Sequence, residues 1–130
     1  NKIEACRVMA ECYEKTGERA VSLRTLLKSL EYDVPRAEIC CDIGKYFMEE
    51  GRYEIAEFWY KTALECKMDL TRGGFVLPDC YNYIPAMQLC VCCDRLGRYA
   101  EAEAYNDRAG EYKPDSPAVL YNRNYFRGRT

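Results

Sequence analysis

The sequence predicts an all-α fold: an antiparallel helix-pair solenoid of three repeats closed by a C-terminal capping helix. Three observations carry this. The residue pattern recurs after 34 positions, a glycine stands at the same place in every copy, and small residues recur where paired helices would cross.

Residues 5–17 align with residues 39–51 at a constant offset of 34, and residues 87–97 form a third copy. The third copy lies 46 positions beyond the second, one repeat lengthened by a twelve-residue insertion. In the first helix of each pair, Met9, Ile43 and Leu89 are large and apolar, while Ala10, Gly44 and Cys90 beside them are small enough for a neighbouring helix to approach closely. Gly17, Gly51 and Gly97 fall where a left-handed residue ends a helix at little steric cost. The second helices then carry Ser22, Ala56 and Ala102, followed by Leu26, Tyr60 and Asn106, and by Ser29, Ala63 and Ala109. These alignments place repeats at 3–36, 37–70 and 83–116 within one domain spanning 1–130, with the insertion at 71–82. A capping helix over 117–128 follows, with Ser116 as N-cap, Pro117 at the first helical position, and Val119, Leu120, Tyr121 and Phe126 available for packing.

This pattern resembles the tetratricopeptide repeat, whose 34-residue helix pairs stack around a continuous core. The second copy is nearest, with Ile43, Gly44, Phe47, Gly51, Tyr53, Ala56, Tyr60 and Ala63 in place. The third has Cys93 and Asn106 where aromatics are usual, and the first has Arg19 for an aromatic and Ser29 for alanine. The first repeat has no cover comparable to the capping helix, and the sequence opens on Asn, so a longer parent chain is expected.

With 130 residues, 48% of them apolar and 31% charged, the chain has the composition of one globular domain. Nineteen Lys plus Arg against 21 Asp plus Glu leave a net charge of −2, which argues against a nucleic-acid partner; only Arg123, Arg127 and Arg129 make a basic stretch. There is no histidine, so the commonest general base and metal ligand are missing and no catalytic residue is expected. No apolar run is long enough to span a bilayer. Nine cysteines cannot all pair within one chain, and they suit a reducing cytoplasm. On a helix Cys90 and Cys93 share a face while Cys92 does not, and the neighbours Cys40 and Cys41 diverge by about 100°. Packing is the expected role of these thiols, with a cysteine-based metal or redox site as the alternative.

The outward positions of the first helices form the expected contact face for a protein or peptide: Glu4, Arg7, Glu11 and Glu14, then Glu38, Cys41, Lys45 and Met48, then Ile84, Met87, Val91 and Asp94. Of these, Arg7, Glu11, Cys41, Lys45, Met48, Met87, Val91 and Asp94 are the candidate partner-binding residues. Phe75, Leu77 and Tyr81 of the insertion are added because a departure from the repeat is free to serve recognition. The plainer alternative is a surface loop folded onto neighbouring helices. Tyr13, Phe47, Tyr53, Tyr60 and Tyr99 fall at core positions, which leaves Tyr81, Tyr83, Tyr105 and Tyr112 for contacts.

Longer strings also resemble the C-terminal region of bacterial family 2 glycosyltransferases that carry tetratricopeptide repeats after a GT-A catalytic domain. They are residues 2–13, 35–41, 73–75, 78–80, 83–85, 88–92 and 113–122, with Tyr125 and Phe126. The resemblance implies a parent transferase whose nucleotide-sugar and divalent metal bind in a separate catalytic domain. No Asp-x-Asp element of the kind that binds such a metal occurs in these 130 residues. It therefore implies a noncatalytic module that binds an acceptor or packs on the catalytic domain.

Overall fold

The computed structural model describes residues 1–72 and 76–129. Among these there are seven α-helices: α1 (Lys2–Lys15), α2 (Arg19–Lys28), α3 (Ala37–Glu49), α4 (Tyr53–Glu65), α5 (Tyr83–Arg95), α6 (Tyr99–Tyr112) and α7 (Pro117–Arg129). They pack as the sequential pairs α1·α2, α3·α4 and α5·α6, each pair resting on the next, with α7 on α6. Short 3₁₀ turns occupy Ser29–Glu31, Leu70–Arg72 and Pro78–Tyr81.

The same turn closes each pair. Gly17, Gly51 and Gly97 have φ of +82°, +72° and +78°. Their N–H groups donate to the carbonyls of Glu14, Met48 and Asp94 at 3.0–3.1 Å, and the following residues donate to Tyr13, Phe47 and Cys93 at 2.8–2.9 Å. This Schellman arrangement satisfies the carbonyls left over at the helix end. An L side chain in that left-handed well would press its Cβ against its own backbone, which is why glycine stands there.

Helix contact depends on small residues. Ala10, Gly44 and Cys90 are all buried, as are Ser22, Ala56 and Ala102 on the partner helices. At Gly44 the approach is closest, since a Cβ added there would lie 2.7 Å from the Tyr60 ring. Tyr60 itself is buried in the cluster of Ala37, Cys40, Cys41, Ala56, Ala63, Cys80, Leu89 and Cys92. A second cluster, Ile3, Ala10, Leu26, Ile39 and Ile43, joins the first two pairs. Buried Ser22 and Ser29 donate to the carbonyls of Ala10 and Leu26 at 2.7 Å, so the polar residues at alanine-type positions keep a partner.

Several expectations need correction. Ile43 and Leu89 are fully covered by the pair before them, but Met9 is half-exposed because α1 is the first described helix. Arg19, where the pattern expects an aromatic, instead sits 4.8 Å over the Tyr46 ring and pairs with Glu14, Glu49 and Glu50. Asn106, also in place of an aromatic, is fully buried; it donates to the Val119 carbonyl at 3.0 Å and accepts from Asn122 at 3.1 Å. Tyr99 is exposed beneath Arg129, whose guanidinium lies 4.4 Å above its ring. In α7, Ser116 Oγ accepts from the Val119 N–H at 3.3 Å, and Val119 and Phe126 are buried. Leu120 and Tyr121 face solvent instead of packing, because successive helical residues turn by about 100° away from the Val119–Phe126 stripe.

Urea unfolding should separate the two uses of glycine. Gly51→Ala, strained by its φ, is expected to lose about 1–2 kcal/mol. Gly44→Ala, overpacked against Tyr60, is expected to lose about 1–3 kcal/mol. Gly128→Ala, whose Cβ meets nothing within 4 Å, should lose nothing.

Candidate functional site

α1 and α3 lie side by side and leave a groove of about 250 Å³ between them, floored by Ala10, Ser22 and Leu26. Its walls are Glu4, Arg7, Val8, Glu11 and Glu14 from α1 and Asp42, Lys45, Tyr46 and Glu49 from α3. Five carboxylates thus face two cations. The excess follows from helical spacing, which puts residues 4, 7, 11 and 14 on one face of α1 and 42, 45 and 49 on one face of α3.

Arg7 ties the two walls. Its Nε lies 2.7 Å from Asp42 Oδ2 and its Nη2 3.3 Å from Oδ1, with Glu4 at 3.9 Å. Burial alone would lower the guanidinium pKa, but the hydrogen bond and charge of Asp42 outweigh it and the pKa is raised. At the far end Arg19 fastens Glu14 of α1 to Glu49 and Glu50 of α3. Glu11 pairs with Lys15 across an exposed turn at 3.2 Å, an interaction easily exchanged for a ligand. Of the predicted contact residues, the structure brings Arg7, Glu11 and Lys45 together here.

The remaining candidates do not join that groove. The inner face of α3 is covered by the connection between α4 and α5. Glu38 is buried there, its Oε2 accepting the Leu77 N–H and its Oε1 the Tyr81 hydroxyl, both at 2.9 Å. Burial first, and then the Glu38 hydrogen bond, push the Tyr81 phenol pKa up. Cys41, expected as a contact residue, is buried against residue 80, with Sγ 3.4 Å from the Cys80 carbonyl oxygen. Met48 packs on the core with its sulfur 3.2 Å from Cys92 Sγ. Met87 packs against Ala86, Ala109 and Val119, and Asp94 accepts from the Tyr125 hydroxyl of α7 at 3.0 and 3.1 Å. Val91 is half-buried and Leu77 exposed; Phe75 lies outside the described residues.

The tyrosines expected to be available are engaged. Tyr81 holds Glu38, Tyr83 shares a 2.6 Å hydrogen bond with Ser116, Tyr105 packs on the core, and the Tyr112 oxygen accepts from Arg108 Nε at 3.2 Å. Repeat spacing could not reveal the partners of Tyr81 and Tyr83, which lie on other elements, whereas Arg108 is four residues before Tyr112 on the same helix.

Cys90 and Cys93 are buried with Ala102 and Phe126, while Cys92 faces the opposite cluster. Burial pushes the Cys90 and Cys92 thiols up to about 12 and Cys93 up to about 11, so they stay protonated and poorly nucleophilic at neutral pH. Among the described residues, one trio places potential metal-ligand atoms within 4.8 Å of one another: Glu57, Cys93 and Glu101. That position already holds cationic charge. Arg98 donates to both oxygens of Glu57 at 2.7 and 3.1 Å and lies 3.6 Å from Glu101, and Lys61 is 3.4 Å from Glu57. The trio is therefore better described as an ion-pair network than as a metal centre. No described helix is long and apolar enough to cross a membrane. No protein-family model matches the chain, and no curated protein matches it.

The Glu57 network sets an acid limit. Burial would raise the Glu57 pKa, but the Arg98 hydrogen bond and the Lys61 and Arg98 charges outweigh it and hold it below the ordinary glutamate value. A carboxylate depressed in the fold contributes stability above its unfolded pKa and loses it as pH falls through the folded value. Urea midpoints should therefore fall below about pH 4.5, and Glu57→Gln should flatten that decline while lowering the midpoint at pH 7.

Proposed function

We propose that this domain is a noncatalytic interaction module of tetratricopeptide type that binds an extended protein or peptide segment in the groove between α1 and α3. One observation carries the reading. The groove presents Glu4, Glu11, Glu14, Asp42 and Glu49 against Arg7 and Lys45; Arg7 is committed to Asp42 and Arg19 to Glu14 and Glu49, which leaves Glu4 and Glu11 with only a long or an exposed pairing. A segment carrying lysine or arginine complements that wall, and charge complementarity of this kind sets specificity and association rate more than raw affinity. Three Schellman turns at offsets of 34 and 46, each joining helices that cross on small residues, support the repeat assignment.

The natural setting we propose is the C-terminal part of a family 2 glycosyltransferase, where the module holds an acceptor near a separate catalytic domain or packs on that domain. That setting rests on the resemblance of the strings alone, several of which meet in the fold. Residues 78–80, 83–85 and 113–122 meet through Lys113 Nζ on Asp79 at 2.6 Å, Lys113 4.6 Å above the Tyr83 ring, and Tyr83 on Ser116. Residues 35–41 join them through Cys41 and Cys80.

Calorimetric titration with short Lys/Arg-containing peptides and with their Glu-substituted counterparts tests the groove. The basic peptides should bind and the acidic ones should not. Glu11→Lys with Glu49→Lys should weaken binding by about tenfold or more, and so should raising the salt several-fold. Equal binding of both peptide sets, or no effect of charge reversal, would remove the groove from the proposal.

A further inference from the structure

Charge is unevenly spread along the stack of helices. Helix α7 holds three of the nineteen cations, Arg123, Arg127 and Arg129, and none of the twenty-one acids. Two of the three are partly committed: Arg123 Nε lies 3.6 Å from Asp107, and Arg129 stacks on the Tyr99 and Tyr125 rings. The outward side of α7 is apolar as well as basic. Leu120 is 48% and Tyr121 71% exposed, and helical spacing puts Leu120, Asn124 and Arg127 on one stripe with Tyr121 beside it. All four are exposed. Tyrosine and arginine are among the residue types that carry most of the energy at interfaces. The groove between α1 and α3 has the opposite character. Its acids outnumber its cations, Glu4 and Glu11 keep only a long and an exposed pairing, and Val8, Ala10 and Leu26 supply apolar surface. Leu120 to Arg127 on α7 and Glu4 to Glu11 on α1 are each a step of seven residues, about 10 Å of helix.

We propose that the partner of the α1–α3 groove is a second copy of this chain, whose α7 lies along the groove rim with Leu120 and Tyr121 over Val8 and Leu26 and with Arg123 and Arg127 toward Glu4 and Glu11. The inference rests on the reading of that groove as a site for a cationic partner and adds the partner's identity. A volume of about 250 Å³ takes side chains and not a helix backbone, so α7 stays helical on the rim and only its side chains enter. The contact is between molecules, because Val119 and Phe126 hold α7 on α5 and α6, while the groove is made by the first two pairs. Groove and α7 are different surfaces, so the interface is heterologous and every bound copy still offers one surface of each kind. Copies therefore add head to tail, into open chains or a closed ring. Opposite charge steers the encounter, and salt screens it.

Sedimentation velocity of the whole chain at low salt is the test. The weight-average mass should rise above the 15.1 kDa of one chain as concentration increases, and a several-fold increase in salt should return it toward the monomer. Leu120→Gln with Tyr121→Gln and Arg127→Gln alters only exposed, helix-compatible positions. It should weaken association by about tenfold or more with the helical circular dichroism unchanged. Glu11→Lys with Glu49→Lys should do the same from the groove side. Mixing these two variants should restore association only as far as a one-to-one dimer, because one intact groove and one intact α7 remain to meet. A monomer at every concentration at low salt, association untouched by the α7 variant, or no recovery on mixing would overturn the proposal. If basic peptides bind while the unaltered chain stays monomeric, this inference alone falls; if neither basic peptides nor a second copy bind, the groove reading falls with it.

Discussion

The close approach of paired helices at Gly44 and Tyr60 is the constraint on which the rest of the molecule depends. A Cβ there would come within 2.7 Å of the ring, so α3 and α4 meet backbone against aromatic ring. That contact buries Tyr60 among Ala37, Cys40, Ala56 and Ala63 and brings α4 against α5. A helix pair held this tightly needs a short turn of fixed geometry, and the left-handed glycine with its two back-reaching hydrogen bonds supplies it three times. The three turns are alike, and the groove between α1 and α3 is left open beside the first two pairs.

Where the sequence departs from its own repeat, polar contacts replace packing. Arg19 stands for an aromatic and works as a clamp, stacking on Tyr46 and holding carboxylates of two helices. Asn106 stands for another and spends both ends of its amide on α7, which lets a buried polar group sit at no loss of hydrogen bonds. Glu57 is tolerated beside Cys93 because Arg98 and Lys61 surround it. These substitutions weaken the sequence pattern without weakening the helix pairs, since each brings its partner from a neighbouring element.

The connection between α4 and α5 changes what the inner surface can do. By placing Leu77 and Tyr81 on Glu38 and residue 80 on Cys41, it closes the part of α3 that repeat spacing assigned to a partner and leaves the α1 side open. Asp79 extends the same connection to Lys113 at the end of α6. The burial of one half of that face and the openness of the other are consequences of this single segment.

Periodicity was sufficient for the helices, for the three glycine turns and for the small residues at the crossings, because helix pitch, turn sterics and contact distance are local properties written at fixed spacing. It also placed Ser116 and Pro117 at the start of α7 and predicted that Cys40 and Cys41 point apart. What those two thiols meet, which side of α3 stays open, and whether Leu120 or Asn106 is the buried residue were decided only in three dimensions. Each depends on groups tens of residues away whose approach is set by packing, and no local spacing encodes the distance between side chains on different helices.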